Sequence, residues 1–376
     1  MKKLKILFAC GGTAGHINPA LSVAATIRQR YPDTEICFAG NPNGMEARLV
    51  PAAGFDFVPF RAMGIQRRLT PQNIVRNFKS VGLLITSGGR AQRVIEAYKP
   101  DIVVGTGGYV SGPIVLKASQ MGIKTVTHEQ NAFPGVTTKL LFRHVDKVLL
   151  AVEKAKDYLP QGVDCVVTGN PVRPQILTAD RYAARKVLGI PSNKICLLSF
   201  GGSLGAQRIN ESIADVMAWH VPKGNIHHIH ATGQYGVELL PRLLKERGVD
   251  VKSPSLDIRE YINDMPMCLA AADLVICRAG AITLSELQAV GRASILIPSP
   301  NVAENHQFHN AMVLVNQNAA VVIEEKELSG KKLASTVNDL ILDPQRLRLL
   351  GENAKKLAIL NANDRILEEI MALCLS

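Results

Sequence analysis

Short apolar runs recur along this chain, each followed by a stretch whose apolar residues fall at helical spacing. In the first half the runs lie at 5–9, 35–39, 102–104, 124–127 and 147–150. Helical spacing occupies 19–30, 46–52, 111–120 and parts of 71–98. The segment Gly169-Asn170-Pro171-Val172-Arg173-Pro174 breaks the pattern, since two prolines and a glycine interrupt regular structure. The alternation then resumes, with runs at 194–200, 226–230, 274–277, 294–297 and 320–323. Helical spacing follows at 208–219, 284–290, 307–316 and 331–342. Strands that are apolar throughout are buried on both faces, as in a parallel sheet. Strand–helix alternation with right-handed crossovers therefore predicts α/β architecture in two Rossmann-like, doubly wound domains facing a central cleft. The expected domains are 1–170 and 171–359, with a last helix in about 360–376 packing back on the first.

One loop pattern is written twice, half the chain length apart. Ile6–Ala9 runs into Cys10-Gly11-Gly12-Thr13-Ala14-Gly15, and Cys196–Phe200 runs into Gly201-Gly202-Ser203-Leu204-Gly205. Each is a strand, a Gly-Gly-hydroxyl-x-Gly turn and a helix. Glycine permits positive φ and leaves no Cβ in the way of a ligand. The helix start that follows offers unpaired N–H groups and partial positive charge, a seat for phosphate. Neither loop is G-x-G-x-x-G, and neither ends in Gly-Lys-Ser/Thr, which disfavours dinucleotide enzymes and P-loop NTPases.

Composition narrows the class. At 376 residues two domains are expected, and 47% hydrophobic content supports ordinary cores. Seven scattered cysteines without a C-x-x-C pair point to a reducing compartment rather than structural zinc or disulfides. No run approaches the ~18 apolar residues of a membrane span. The net charge of +11 calls for an anionic partner. Between Phe57 and Ile95 stand Arg61, Arg67, Arg68, Arg76, Lys79, Arg90 and Arg93 with no acidic residue. Ile74, Phe78, Val81 and Ile85 would line one helix face there, after a start at Thr70-Pro71. A basic, apolar helix of this kind suits an anionic bilayer surface. Aromatic content of 5% and the absence of an RNA-binding signature argue against nucleic acid.

Candidate chemistry gathers where strands end. Cys277–Glu286 is a strand end, a turn and a helix start, and an acid in the first turn is favoured by the helix field. Glu286 there could accept hydrogen bonds from both hydroxyls of a ribose. Polar residues from Glu304 to Asn310, including Gln307, suit sugar hydroxyls. His16 opens a helix after the first glycine loop and could act as general base, or merely cap the turn. Gly105-Thr106-Gly107-Gly108-Tyr109 is a further glycine loop expected at the same sheet edge, and His128-Glu129-Gln130-Asn131 closes a neighbouring strand. His227, His228 and His230 resemble a metal cluster, but strand alternation puts His227 on the opposite face, so a structural role is expected.

Seven ordered segments together resemble the bacterial cell-wall N-acetylglucosaminyltransferases of glycosyltransferase family 28. They are GGTAGHINPAL from Gly11, GTGGYVSGP from Gly105, HEQN from His128, GNPVR from Gly169, GGSLGA from Gly201, RAGAITLSE from Arg278 and ENHQFHNA from Glu304. The resemblance implies a GT-B fold and inverting transfer, without metal or cofactor, from UDP-N-acetylglucosamine. The implied acceptor is the C4 hydroxyl of the muramyl sugar of lipid I, giving lipid II. It implies donor contacts at Thr13, Ala14, Gly15, Asn131, Arg173, Ser203, Ile262, Ala281, Ile282, Thr283, Leu284, Ser285, Glu286 and Gln307. Ser203 would meet the diphosphate, Ile262 the uracil and Glu286 the ribose. Gly107, Gly108 and Tyr109 would hold the lipid pyrophosphate, and His16 would assist deprotonation. It further implies a peripheral place on the cytoplasmic face of the inner membrane, beside cell-wall synthesis or division proteins. Two positions depart from the family pattern. Ala14 replaces a usual glycine, which would be strained by roughly 1–2 kcal/mol if φ were positive, and Leu204 replaces a common glutamine. A UDP-sugar 2-epimerase on the same fold and a non-catalytic membrane scaffold are the alternatives from other classes.

Overall fold

The computed structural model describes residues 3–62 and 87–375. The chain divides into two compact units, Met1–Pro171 with Asn361–Ser376, and Val172–Leu360. Each contains one parallel sheet. In the first the strands are β1 Lys5–Ala9, β2 Glu35–Gly40, β3 Asp56–Pro59, β4 Ile102–Gly105, β5 Lys124–Glu129, β6 Lys147–Leu150 and β7 Cys165–Val167. Their order is β3-β2-β1-β4-β5-β6-β7. In the second, β8 Ile195–Phe200, β9 Ile226–Ala231, β10 Leu256–Arg259, β11 Leu274–Cys277, β12 Ala293–Leu296 and β13 Val321–Val322 are ordered β10-β9-β8-β11-β12-β13.

The side-chain period of two explains how each sheet is covered. Ile6 and Phe8 of β1 face helices Ala14–Arg30 and Ala362–Leu375, packing with Ile17, Val23, Ile27, Ile366 and Ile370. Leu7 and Ala9 face the other way, towards Ile95, Ile114 and Val115. Both faces are dry, so the strand reads as one apolar run. In β8, Cys196 and Leu198 join one core and Leu197 the other. Each large apolar side chain removed from water in this way contributes about 1.5–3 kcal/mol. The helix Ala362–Leu375 is tied to the first unit by Arg30–Asp364 (2.6 Å) and Lys147–Glu369 (2.8 Å).

Three expectations change. Strands β3, β7 and β10 escape a pattern tuned to long buried strands: β3 begins with Asp56 and ends in Pro59, β10 carries Asp257 and Arg259, and β7 is an apolar run of only three residues. The first helix begins at Ala14, not Pro19. Pro19 forfeits one bond to the carbonyl of Gly15, whose exposed position lets water replace it. The helix after β11 starts at Ala281 rather than Leu284, so Glu286 lies in its second turn and not its first. The basic stretch carrying Arg67, Arg68, Arg76, Lys79, Ile74, Phe78, Val81 and Ile85 lies outside the described residues.

Candidate active site

Both sheets reverse their winding beside their first strand. In the first unit β1 is flanked by β2 and β4, and in the second β8 is flanked by β9 and β11. Ligands of doubly wound sheets bind at such points, outside the carboxyl ends of the strands. The repeated glycine loops sit at those two places.

In the second unit, β8 turns at Gly202 (φ +100°) and Gly205 (φ +82°), with Gly205 N–H closing onto Gly202 O at 2.9 Å. Ser203 and Leu204 are exposed at the tip, ahead of helix Gln207–His220. A cleft of about 440 Å³ opens here, lined by Gly201, Gly205, Arg208, Arg278, Ser299, Asn301 and Gln307 among others. Arg278 ties its floor together, donating to Ile297 O (3.1 Å) and Pro298 O (3.3 Å) and pairing with Glu325. Gln307 accepts from Ser299 N–H (2.9 Å) through Oε1. Asn310 donates to Ala279 O (3.2 Å), binding the polar segment to the turn after β11. Glu304 and Asn305 both have φ of +52°, a rare conformation without glycine and one concentrated at functional loops.

The residues expected to meet the donor fall into three groups. Arg173 and Glu286, far apart in sequence, meet at 2.8 Å through Arg173 Nε. Burial raises the Glu286 carboxyl above its ordinary value, and Arg173 offsets only part of this. Ala281, Ile282 and Thr283 form the partly exposed first turn of their helix, where N–H groups point outward, and Ser285 spends its hydroxyl on Ala281 O (3.1 Å). The side chains of Ile262 and Leu284 are buried in the core, so neither can meet a ligand through its side chain; what they can offer is main chain.

In the first unit the glycine loop looks similar but is built on different ground. Gly12 has φ +86°, and its N–H points at 3.4 Å to the carboxylate of Glu46, which is fully buried and also accepts from Asn41 N–H at 2.9 Å. A protein carboxylate thus occupies the inner side of this turn, unlike the second. The sequence pattern shows Glu46 only as a helix start; the glycines at 40 and 44, where a Cβ would meet its side chain, are the local signals. Ala14 is the first residue of its helix and has no positive φ, so the substitution there is harmless. Gly108 (φ +81°) presses on the same loop: a Cβ there would lie 2.1 Å from Gly11 O. The His16 ring lies against Gly107, whose Cβ would be 3.2 Å from Nε2. His16 Nδ1 is 3.3 Å from Gly11 O and 3.2 Å from Thr13 Oγ1. A carbonyl can only accept, so Nδ1 carries the proton and the basic lone pair falls on Nε2. The Tyr109 ring covers Gly12. Thr13 and Gly15 are exposed.

His128 is not a cleft residue. It is buried, with Nε2 on Gly169 O (2.9 Å) and Nδ1 receiving Gln130 Nε2 (3.0 Å), and burial lowers its pKa. Its neighbour Glu129 organises the following turn, accepting from Asn131 N–H (2.9 Å), Asn131 Nδ2 (3.0 Å), Gly135 N–H (2.9 Å) and Thr138 Oγ1 (2.5 Å). Among the described residues no helix is long and apolar enough to cross a membrane, and no cluster of three acidic, His or Cys side chains could hold a metal ion.

Two doubly wound sheets, each with a glycine turn at its switch point, define the GT-B architecture of nucleotide-sugar glycosyltransferases. The glycosyltransferase family 28 N-terminal domain matches residues 6–150 and the family's C-terminal domain residues 196–368. The chain belongs to glycosyltransferase family 28. It is 46% identical over 367 residues to an Acetivibrio thermocellus protein, covering 98% of this chain and 97% of the relative. That protein is named UDP-N-acetylglucosamine--N-acetylmuramyl-(pentapeptide) pyrophosphoryl-undecaprenol N-acetylglucosamine transferase. A protein of the same name from Ruminiclostridium cellulolyticum is 40% identical, covering 96% of this chain and 98% of the relative. The crystal structure of Acinetobacter baumannii MurG matches with a TM-score of 0.75 at 28% identity, over 99% of this chain and 100% of that one. A UDP-GlcNAc 2-epimerase from Neisseria meningitidis, at 14% identity and a TM-score of 0.63 over 99% of this chain and 100% of that one, shares the fold alone.

Proposed function

We propose that this chain is the MurG transferase of its organism: it moves N-acetylglucosamine from UDP-N-acetylglucosamine to the C4 hydroxyl of the muramyl sugar of lipid I, giving lipid II. The observation that carries this is 46% identity along nearly the whole chain to an enzyme of that name. Fold alone would not separate a transferase from an epimerase.

The reaction is a single displacement with inversion. The acceptor oxygen bonds to the sugar C1 as the bond from C1 to the diphosphate oxygen breaks, the hydroxyl proton passes to a base, and UDP leaves with the electron pair. We assign the leaving diphosphate to the Gly202–Gly205 turn, with Ser203 as a hydroxyl donor, because its N–H groups and following helix oppose negative charge. Glu286 accepts from the ribose, oriented by Arg173; Ile262 offers main chain to the uracil; Gln307 and the 281–285 turn meet the sugar and phosphate. On the acceptor side Gly107, Gly108 and Tyr109 hold the lipid pyrophosphate, and His16 Nε2 receives the hydroxyl proton. Thr13, Ala14, Gly15 and Asn131 complete the donor contacts. Membrane docking at the cytoplasmic face is assigned to the basic segment between Arg61 and Arg93, whose charge suits anionic lipid.

Radiolabel transfer from UDP-N-acetylglucosamine to a short-chain lipid I analogue, with EDTA present, tests the reading. Labelled disaccharide product is expected. An epimerised nucleotide sugar formed without acceptor would replace the transferase by the epimerase, and neither product would refute both.

A further inference from the structure

The second unit contains a chain of buried polar groups that the reaction does not use. His220 Nε2 lies 3.0 Å from His228 Nδ1, and His228 Nε2 lies 2.7 Å from Ser199 Oγ. Ser199 Oγ lies 2.7 Å from His230 Nδ1, and His230 Nε2 lies 3.0 Å from Asn210 Oδ1. Asn210 Nδ2 then donates to Thr232 O at 2.9 Å. All of these side chains are buried. The strand period puts Ser199, His228 and His230 on one face of the sheet, beneath helix Gln207–His220, which supplies the two ends.

The proton positions follow from one end. Thr232 O can only accept, so Asn210 must turn its NH2 towards it and its oxygen towards His230. His230 then carries its proton on Nε2 and leaves Nδ1 to accept from the Ser199 hydroxyl. Ser199 in turn accepts from His228 Nε2–H, and His228 Nδ1 accepts from His220 Nε2–H. His220 Nδ1, buried and without a hydrogen-bond partner, is left as a bare lone pair. The Asn210 end thus sets the direction of the whole chain.

The chain ends under the glycine turn. Gly205 approaches Thr232 O so closely that a Cβ would lie 2.2 Å from it, and a Cβ on Gly233 would lie 2.1 Å from Gly205 N. Tyr235 N–H donates to Leu204 O at 3.1 Å, and Gly236 lies on the Asn210 amide. We propose that the His220–His228–Ser199–His230–Asn210 chain is a positioning device that holds the Thr232 carbonyl, and through it the Gly202–Gly205 turn, in the geometry that receives the donor diphosphate. This rests on the assignment of that turn to the diphosphate. If Ser199 is lost, His230 Nδ1 loses its hydrogen-bond donor and the ring that anchors Asn210 Oδ1 is no longer held in place. Asn210 can then shift away from the Thr232 carbonyl it holds, and the seat of Gly205 would move with it.

The test uses the whole chain in three forms. Nitrogen-15 NMR of the wild type at pH 7 should show His220, His228 and His230 neutral and protonated at Nε2. Isothermal calorimetry with UDP should give a Kd at least tenfold weaker for Ser199→Ala, with kcat at saturating donor within about twofold of wild type. Ser199→Thr, which keeps the hydroxyl, should restore affinity to within about threefold. A folded Ser199→Ala variant with unchanged Kd would overturn the proposal. So would His230 protonated at Nδ1 in the wild type, a result that stands even if Ser199→Ala does not fold. If the wild type shows the three tautomers but binds no UDP, the donor assignment itself fails and the coupling with it.

Discussion

Replacing Glu286 by Gln removes a buried charge and preserves the shape, and its two consequences have opposite signs. Glu286 is 6% exposed, and burial raises its pKa despite Arg173 at 2.8 Å. A carboxyl whose folded pKa exceeds its unfolded value opposes folding once pH rises through that window, because the ionised form is better solvated in the unfolded chain. The Arg173 side chain is 46% exposed, so water can take over its charge when the partner becomes neutral. The variant should therefore match wild-type stability or exceed it by up to ~1 kcal/mol. For a unit of this size that is a Tm change between zero and about +3 °C. Donor binding should move the other way. A hydrogen bond to a charged acceptor contributes about 1.5–3 kcal/mol, so losing the charge at a ribose contact should weaken UDP binding about 10- to 100-fold. Calorimetry with UDP and thermal unfolding at neutral pH read both terms. A variant that loses more than ~5 °C of Tm while binding UDP as tightly as wild type would make Glu286 a structural ion-pair partner and refute the reasoning.

Asp273 accepts from Arg181 (2.5 Å), Arg185 (3.2 Å) and Cys196 N–H (2.8 Å), so Asp273→Asn should cost about 3 kcal/mol in urea unfolding; a loss under ~1 kcal/mol would contradict this. Burial holds His220 and His230 down at about 4, against 6.5 when unfolded. The unfolded chain therefore takes up protons first, and this stability is complete above pH 6.5 and lost as pH falls towards 4, by about 3 kcal/mol per histidine. Urea titrations from pH 7.5 downwards should show that slope, shallower in His220→Gln; equal slopes in the two proteins would count against it. Gly108→Ala forces a Cβ to within 2.1 Å of Gly11 O at φ +81°, so transfer to the lipid I analogue should fall at least 100-fold. UDP affinity should stay within about twofold; a joint loss of both would mean that the acceptor assignment of this loop is wrong.

Much of the fold could be read from periodicity because the central strands are buried on both faces. β1, β4, β8 and β11 are almost wholly apolar, broken only by Lys5 at the start of β1 and the buried Ser199 in β8, and their glycine turns are local in sequence. Of the strands that escaped notice, β3 and β10 have charged residues that interrupt such a run, and β7 is only three residues long. What supports the site was harder to see, because the partners are distant in the chain. Nothing near Gly12 announces that Glu46 fills the space behind it, and nothing near Gly205 announces the Thr232 carbonyl. Arg173 and Glu286 were each legible, but their contact at 2.8 Å needed coordinates. Glu286 was misplaced in its helix because the helix starts at Gly280–Ala281, ahead of the apolar pattern that begins at Leu284.

The helix Ala362–Leu375 has a consequence for how the protein is made. Ile366, Leu367 and Ile370 complete the core around Ile6, Phe8 and Ile17, yet residues 361–376 are synthesised only after the whole of the second unit. Domains usually mature on the ribosome in the order of translation. Here the second unit has all its residues available first, while the earlier-made sheet waits with one apolar face partly bare. That face is a natural client surface for chaperones in the interval. An expression fragment ending at Pro171 would keep it bare permanently, so a soluble version of the first unit calls for residues 361–376 to be grafted on.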